Sequence, residues 1–124
     1  IFAPRAVSPA GARGVLQLLP STARMNAPAL GLGPDPDLFD PTVNLRLGAR
    51  ELARLLKRFG ALEPALAAYN GGETRARRWW RRWPDRHLFT ESIPIPKTYT
   101  YVRRVRFLAE AYRLVHREHW EENP

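Results

Sequence analysis

Apolar residues recur at spacings of three and four along most of this chain, and that period predicts helices rather than strands. From Val43 the positions Leu45, Leu52, Leu55, Leu56 and Phe59 repeat in this way and predict one buried stripe on a long helix. Asp40-Pro41 reads as its N-cap followed by proline at the first helical position, and Gly60 as its stop. Tyr101, Val105, Leu108, Tyr112 and Val115 alternate four and three apart, predicting an apolar face on a last helix opened by Thr98. Between these two, Glu63-Pro64 starts an alanine-rich helix through Tyr69. Asn70-Gly71-Gly72 ends it, because Asn and Gly tolerate the left-handed backbone of a tight exit. Glu73 to Trp83 predicts a short, strongly basic helix stopped by Pro84.

The first third is less regular. Ser8 to Leu19 carries Ala, Val and Leu at mixed helical spacing and predicts a helix stopped by Pro20, with Ser21-Thr22 capping a second short helix toward Ala29. Gly31 to Pro41 is rich in Gly and Pro and reads as a loop, and Ile93 to Pro96 as extended chain. Nothing alternates with period two for long enough to predict a strand. The expected class is all-α, in one domain at most for 124 residues.

Composition narrows the function classes. Hydrophobic residues make up 44% of the chain, too many for a disordered segment. No apolar run approaches the ~20 residues of a membrane span. The chain opens on Ile and lacks a basic-then-apolar leader, so it is expected to be part of a longer, processed protein. It has no cysteine, which removes disulfides and thiolate metal sites. His116 and His119 stand three apart, but no third ligand accompanies them or His87, so no metal is expected.

The formal net charge of +8 predicts affinity for polyanions. Nucleic acid is one candidate, and a cell wall bearing peptide carboxylates or phosphate polymers is another. The stretch Arg75 to Arg86, with Trp79, Trp80 and Trp83 interleaved, fits a nucleic-acid surface of guanidiniums and stacking rings. It is read instead as a helix whose tryptophans pack inward while its arginines face water, with no nucleic acid expected as partner.

Four blocks carry a more specific signal. Ala6, Ser8, Gly11, Ala12, Gly14, Gln17, Pro20, Thr22 and Ala23 fall in register with Ala-x-Ser-x-x-Gly-Ala-x-Gly-Leu-Met-Gln-x-x-Pro-x-Thr-Ala. Leu38-Phe39-Asp40-Pro41 with Asn44-Leu45 and Leu47-Gly48 forms a second block. Ala65 to Gly72, reading Ala-Leu-Ala-Ala-Tyr-Asn-Gly-Gly, forms a third, and Glu91-Ser92-Ile93-Pro94 with Thr98, Tyr101 and Val102 a fourth. In this order the blocks resemble the soluble lytic transglycosylases, lysozyme-like enzymes that cut bacterial peptidoglycan. The resemblance runs from Ile1 to about Val105 and implies a lysozyme-like helical fold missing its N-terminal helix. It also implies a periplasmic or extracellular setting. In the family the first block follows a catalytic glutamate, whose register falls two residues before Ile1, so these 124 residues alone are expected to be inactive.

The implied reaction breaks the β-1,4 bond between N-acetylmuramic acid and N-acetylglucosamine. The leaving oxygen needs a proton, and the sugar's oxocarbenium-like charge needs stabilising. One glutamate acts as general acid and then as base on the sugar's 6-hydroxyl, leaving a 1,6-anhydromuramoyl end. Apolar surroundings raise such a carboxyl's pKa, and Val15, Leu16 and Leu19 supply apolar walls.

By resemblance, Tyr69 places a hydroxyl near the acid and the glycosidic oxygen, and Glu91 lines the cleft opposite it. Ser8 hydrogen-bonds the acid or caps a helix, Gln17 meets a sugar amide, Leu19 is a sugar-packing wall or a core residue, and Asn70 contacts substrate or serves the turn. Gly71, Glu73 and Lys97 depart from the usual family residues. The implied partner is the peptidoglycan glycan strand. A lysozyme-type hydrolase, a peptidoglycan-binding module without catalysis, and a basic nucleic-acid binder remain alternatives.

Overall fold

A computed structural model describes residues 3–117. The chain divides into two compact units, residues 1–54 and 55–124. Among the described residues every regular element is helical, with isolated β-bridges only, as the all-α expectation required.

The first unit begins without a helix. Ser8 to Leu19, predicted helical, is instead a succession of tight turns pinned by bridges Val7–Arg13 and Arg13–Leu18. The reason is local: Gly11, Gly14 and Gln17 have φ of 87°, 79° and 53°, and three left-handed residues so closely spaced cannot share a right-handed helix. Helix α1 (Pro20–Asn26) follows, with Pro20 in its first turn and Leu19 at its N-cap. Ser21 and Thr22 therefore lie inside α1 rather than capping it. A single 3₁₀ turn, Pro28–Leu30, ends on left-handed Gly31.

Helix α2 (Pro41–Phe59) starts as the sequence predicted, Asp40 Oδ1 accepting from the backbone N–H of Thr42 and Val43. Gly60, at φ 72°, follows its end. Its inward face differs from the predicted stripe. Asn44, Leu47, Gly48, Glu51 and Leu55 are buried, whereas Leu45 and Leu56 are exposed. The buried set still has helical spacing, but two members are polar, so a search for apolar residues alone missed it.

In the second unit α3 (Leu62–Gly71) is central, packing on α4 (Glu73–Arg82), α5 (Arg86–Glu91) and α6 (Pro96–Val115). Every residue from Glu63 to Ala68 is buried, and only small side chains such as Ala65, Ala67 and Ala68 let neighbours approach on all sides. Leu66, Phe89 and Val102 complete the core, each large side chain contributing roughly 1.5–3 kcal/mol on burial. The edge of Trp80 meets Phe89, ring centroids 5.4 Å apart.

Helix α5 was not foreseen, although Asp85 announces it by accepting from His87 and Leu88 N–H. Helix α6 opens at Pro96, two residues before Thr98. Of its predicted face, Tyr101 and Val105 are half-buried, while Leu108, Tyr112 and Val115 are exposed. His116 lies against the Tyr112 ring, and His119 falls outside the described residues. No group of metal-binding side chains occurs among the described residues, and no described helix is long and apolar enough to cross a membrane.

Candidate active site

The six singled-out residues divide between the units, Ser8, Gln17 and Leu19 in the first and Tyr69, Asn70 and Glu91 in the second.

In the first unit the tight-turn segment is fastened from 30 residues away in sequence. Asn44, fully buried on α2, accepts from Leu16 N–H at 2.9 Å through Oδ1. Its Nδ2 donates to Arg13 O and Leu38 O, both at 2.9 Å. One amide thus satisfies three backbone groups. Gly14 passes so close that a Cβ there would lie 2.2 Å from Leu38 O and 2.3 Å from Asn44 Nδ2. Both residues sit in matched blocks, but nothing local in the sequence joins them.

Within this frame Ser8 Oγ accepts from Ala12 N–H at 3.0 Å, so it stabilises its own turn rather than a helix. Gln17 departs from its expected place on a helix face. Its Nε2 donates to Gly14 O at 2.9 Å and Ala6 O at 3.3 Å, closing the loop on itself. Leu18 enters the core, while Leu19 remains 40% exposed and so does not serve as core packing. Val15 and Leu16 are half-buried.

Further along the same unit lies a buried carboxylate. Glu51 accepts from Asn26 Nδ2 at 2.8 Å and from Arg54 Nε and Nη2 at 3.1 and 2.7 Å. Burial is the largest influence and opposes ionisation. The Arg54 and Asn26 hydrogen bonds and the Arg54 charge together outweigh it, leaving the pKa below its ordinary value.

In the second unit the first turn of α6 gathers two candidates. Thr98, buried, donates its hydroxyl to Asn70 Oδ1 at 2.9 Å, which clamps α3 to α6. Asn70 therefore serves a helix contact and not a turn. The next residue, Tyr99, donates its hydroxyl to Glu91 Oε2 at 3.2 Å and accepts from Arg103 at 2.5 Å. Arg103 also stands 3.8 Å from Glu91 Oε1 and lies over the Tyr99 ring. That hydrogen bond, with Tyr99 and Glu91 nearby, holds the Arg103 pKa above its ordinary value. Glu91 is thus an exposed carboxylate steered by two partners. Sequence reading missed both, though Tyr99 and Arg103 stand four apart on one helix face. Tyr69, half-buried, occupies the last turns of α3 immediately before Asn70.

The α3 N-terminus holds a second buried acid, Glu63, which accepts from Arg86 Nε and Nη2 at 2.7 and 2.9 Å, with Arg106 at 3.4 Å. Burial again opposes its charge most, but these arginines and its backbone hydrogen bond win, and its pKa is lowered. In the sequence Glu63 announces only a helix start. The two buried acids are structural ties, while Glu91 is presented to solvent.

Comparison with known proteins gives this arrangement its family. Residues 1–88 match the transglycosylase SLT domain. The soluble lytic murein transglycosylase of Escherichia coli K12 is 33% identical over 117 residues, covering 89% of this chain and 18% of that protein. A putative soluble lytic murein transglycosylase of Haemophilus influenzae is 38% identical over 108 residues, covering 82% of this chain and 18% of its own length. Among solved structures, the 70 kDa soluble lytic transglycosylase of Escherichia coli superposes with a TM-score of 0.79 at 32% identity, over 92% of this chain and 20% of that one. The chain belongs to the transglycosylase SLT domain family. It spans about a fifth of the length of the curated relatives it matches.

Proposed function

We propose that this domain, in its parent protein, cleaves the β-1,4 bond between N-acetylmuramic acid and N-acetylglucosamine in peptidoglycan and leaves a 1,6-anhydromuramoyl end. The observation that carries this reading is the shared fold with the 70 kDa Escherichia coli lytic transglycosylase, over nearly the whole chain at 32% identity. In this reading the principal acid lies two positions ahead of Ile1, and the 124 residues by themselves are expected to leave peptidoglycan uncut. The parent protein acts in the periplasm or outside the cell, where its substrate is.

The residues contribute in separable ways. Tyr69 supplies a phenolic hydroxyl to the reacting glycosidic oxygen. Glu91, an exposed carboxylate steered by Tyr99, accepts from the substrate's acetamido N–H or a sugar hydroxyl and offsets positive charge on the breaking sugar. Ser8, Gln17 and Asn70 each commit part of their hydrogen-bonding capacity to the fold and retain part. Ser8 retains its hydroxyl proton for an acceptor, Gln17 its Oε1 for a sugar amide N–H, and Asn70 its Nδ2 for a sugar oxygen. Leu19 offers an apolar surface for a sugar ring. No step calls for a metal or an organic cofactor.

The test is digestion of purified peptidoglycan by the chain extended upstream, with products read by mass spectrometry. Anhydromuropeptides, lost when the acid before Ile1 becomes glutamine and reduced at least tenfold by Glu91→Gln, are the expected result. Reducing ends would make it a lysozyme-type hydrolase. Wall binding without cleavage would make it a binding module.

A further inference from the structure

Helix α4 presents a charge arrangement that the proposed chemistry does not use. Arg75, Arg77, Arg78, Arg81 and Arg82 stand on ten residues, and none has an ion-pair partner among the described residues. The nearest acid on the helix, Glu73, is paired with Arg58 of α2. At 100° per residue the five arginines fall within an arc of about 160°. Ala76, fully buried, and Trp80, set edge-on against Phe89, occupy the opposite side.

Arginines at 77 and 81, 78 and 82, 75 and 78, and 78 and 81 are helical neighbours of like charge, which destabilises a helix. Within the fold Arg82 lies over the Trp83 ring, and anions from outside would relieve the like charges along the rest of the ridge. Its face carries Thr74 and no large apolar residue to insert among lipid tails. Trp80 is set edge-on against Phe89, while Trp83, 38% exposed, follows at the C-cap beneath Arg82, so one exposed ring rather than a series of stacking platforms accompanies the arginines. What remains are guanidiniums in two i,i+4 pairs, Arg77 with Arg81 and Arg78 with Arg82, each pair about 6 Å apart along the axis, suited to hydrogen-bonding carboxylates.

We propose that the α4 arginine ridge is a docking surface for the peptide carboxylates of peptidoglycan, separate from the groups that act on the glycosidic bond. This rests on peptidoglycan being the substrate. The ridge grips the polymer by its stem peptides and raises the local concentration of glycan strand.

The full chain is pelleted with purified peptidoglycan sacculi, and its thermal unfolding is recorded alongside. Replacing Arg77, Arg78, Arg81 and Arg82 together by Gln is expected to weaken pelleting on the order of tenfold, with a melting temperature equal or higher. The matching Lys variant should retain most binding. Carbodiimide amidation of the sacculus carboxyls should weaken the parent chain to the same extent as the Gln variant. Pelleting unchanged by the Gln substitutions or by amidation would overturn the proposal. So would tighter binding to phosphatidylglycerol vesicles or to a DNA duplex than to sacculi. The anhydromuropeptide assay judges the catalytic reading separately, since a chain that docks through α4 without cutting would pellet yet release none.

Discussion

The turn segment of the first unit and helix α3 of the second answer the same need, fixing candidate residues in place, by opposite means. The turn segment has almost no repeating structure and is fastened by one buried amide, Asn44, acting across long sequence separation. Helix α3 is regular, buried along most of its length, and tied at its two ends by Glu63 and Asn70. The first arrangement concentrates its stability in a few atoms, while the second distributes it over many contacts. Substitutions should therefore be sharper in the first unit and more graded in the second.

The largest effect is expected at Gly14. Alanine there would hold φ near 79° and drive a Cβ to 2.2 Å from Leu38 O, with no flexible side-chain end to yield. A loss of about 4 kcal/mol, read by chemical denaturation, is the expected outcome. A loss under about 1 kcal/mol would mean the turn relaxes freely and the contrast fails. Asn44→Leu keeps a similar volume but strips partners from three backbone groups, and about 3 kcal/mol should be lost.

Glu63→Gln probes the distributed side. It keeps the shape and removes the charge that holds Arg86, so about 2 kcal/mol should be lost near neutral pH. The pH dependence has a definite sign. Glu63's folded pKa lies below its ordinary 4.5, so its contribution is present above that value and disappears as pH falls through the folded pKa. The parent chain should lose stability from about pH 4.5 downward, and Glu63→Gln should lose less over that range. Glu51 shifts the same way, so Glu51→Gln should remove a second, independent share of the acid sensitivity. Parallel pH profiles for parent and Glu63→Gln would show that folding does not shift the Glu63 pKa.

How much of this was legible follows the same contrast. Helices α2, α3, α4 and α6 could be read from the sequence because period and end signals lie within each element. The turn segment could not. Its apolar residues happen to stand at helical spacing, and the choice against a helix is made by left-handed Gly11, Gly14 and Gln17 together with Asn44. Helix α5 was hidden because six residues carry too little periodicity, although its Asp85 cap was visible. The inward face of α2 escaped because Asn44 and Glu51 are buried through partners whose positions only the fold supplies. Glu91 was identified by its block, but Tyr99 and Arg103, which steer it, lie eight and twelve residues further on, in α6.

The smallest predicted effect, at Gly71, separates local preference from packing. Alanine is preferred over glycine inside a helix by about 1 kcal/mol, and alanine is the usual family residue here. Yet a Cβ at Gly71 would meet Thr98 Oγ1 at 2.8 Å. Thr98 is β-branched and stiff, and rotating it away would break its bond to Asn70, worth about 1 kcal/mol. The two terms nearly cancel, so Gly71→Ala should change stability by no more than about 1 kcal/mol, on the destabilising side. In a Thr98→Ala background the clash is gone and only helix preference remains, so the same substitution should stabilise by about 0.5–1 kcal/mol. That reversal of sign is the coupling a double-mutant cycle measures. Equal effects in both backgrounds would show that Thr98 does not fix the approach of α3 to α6, and that Asn70 is held by something other than its hydroxyl.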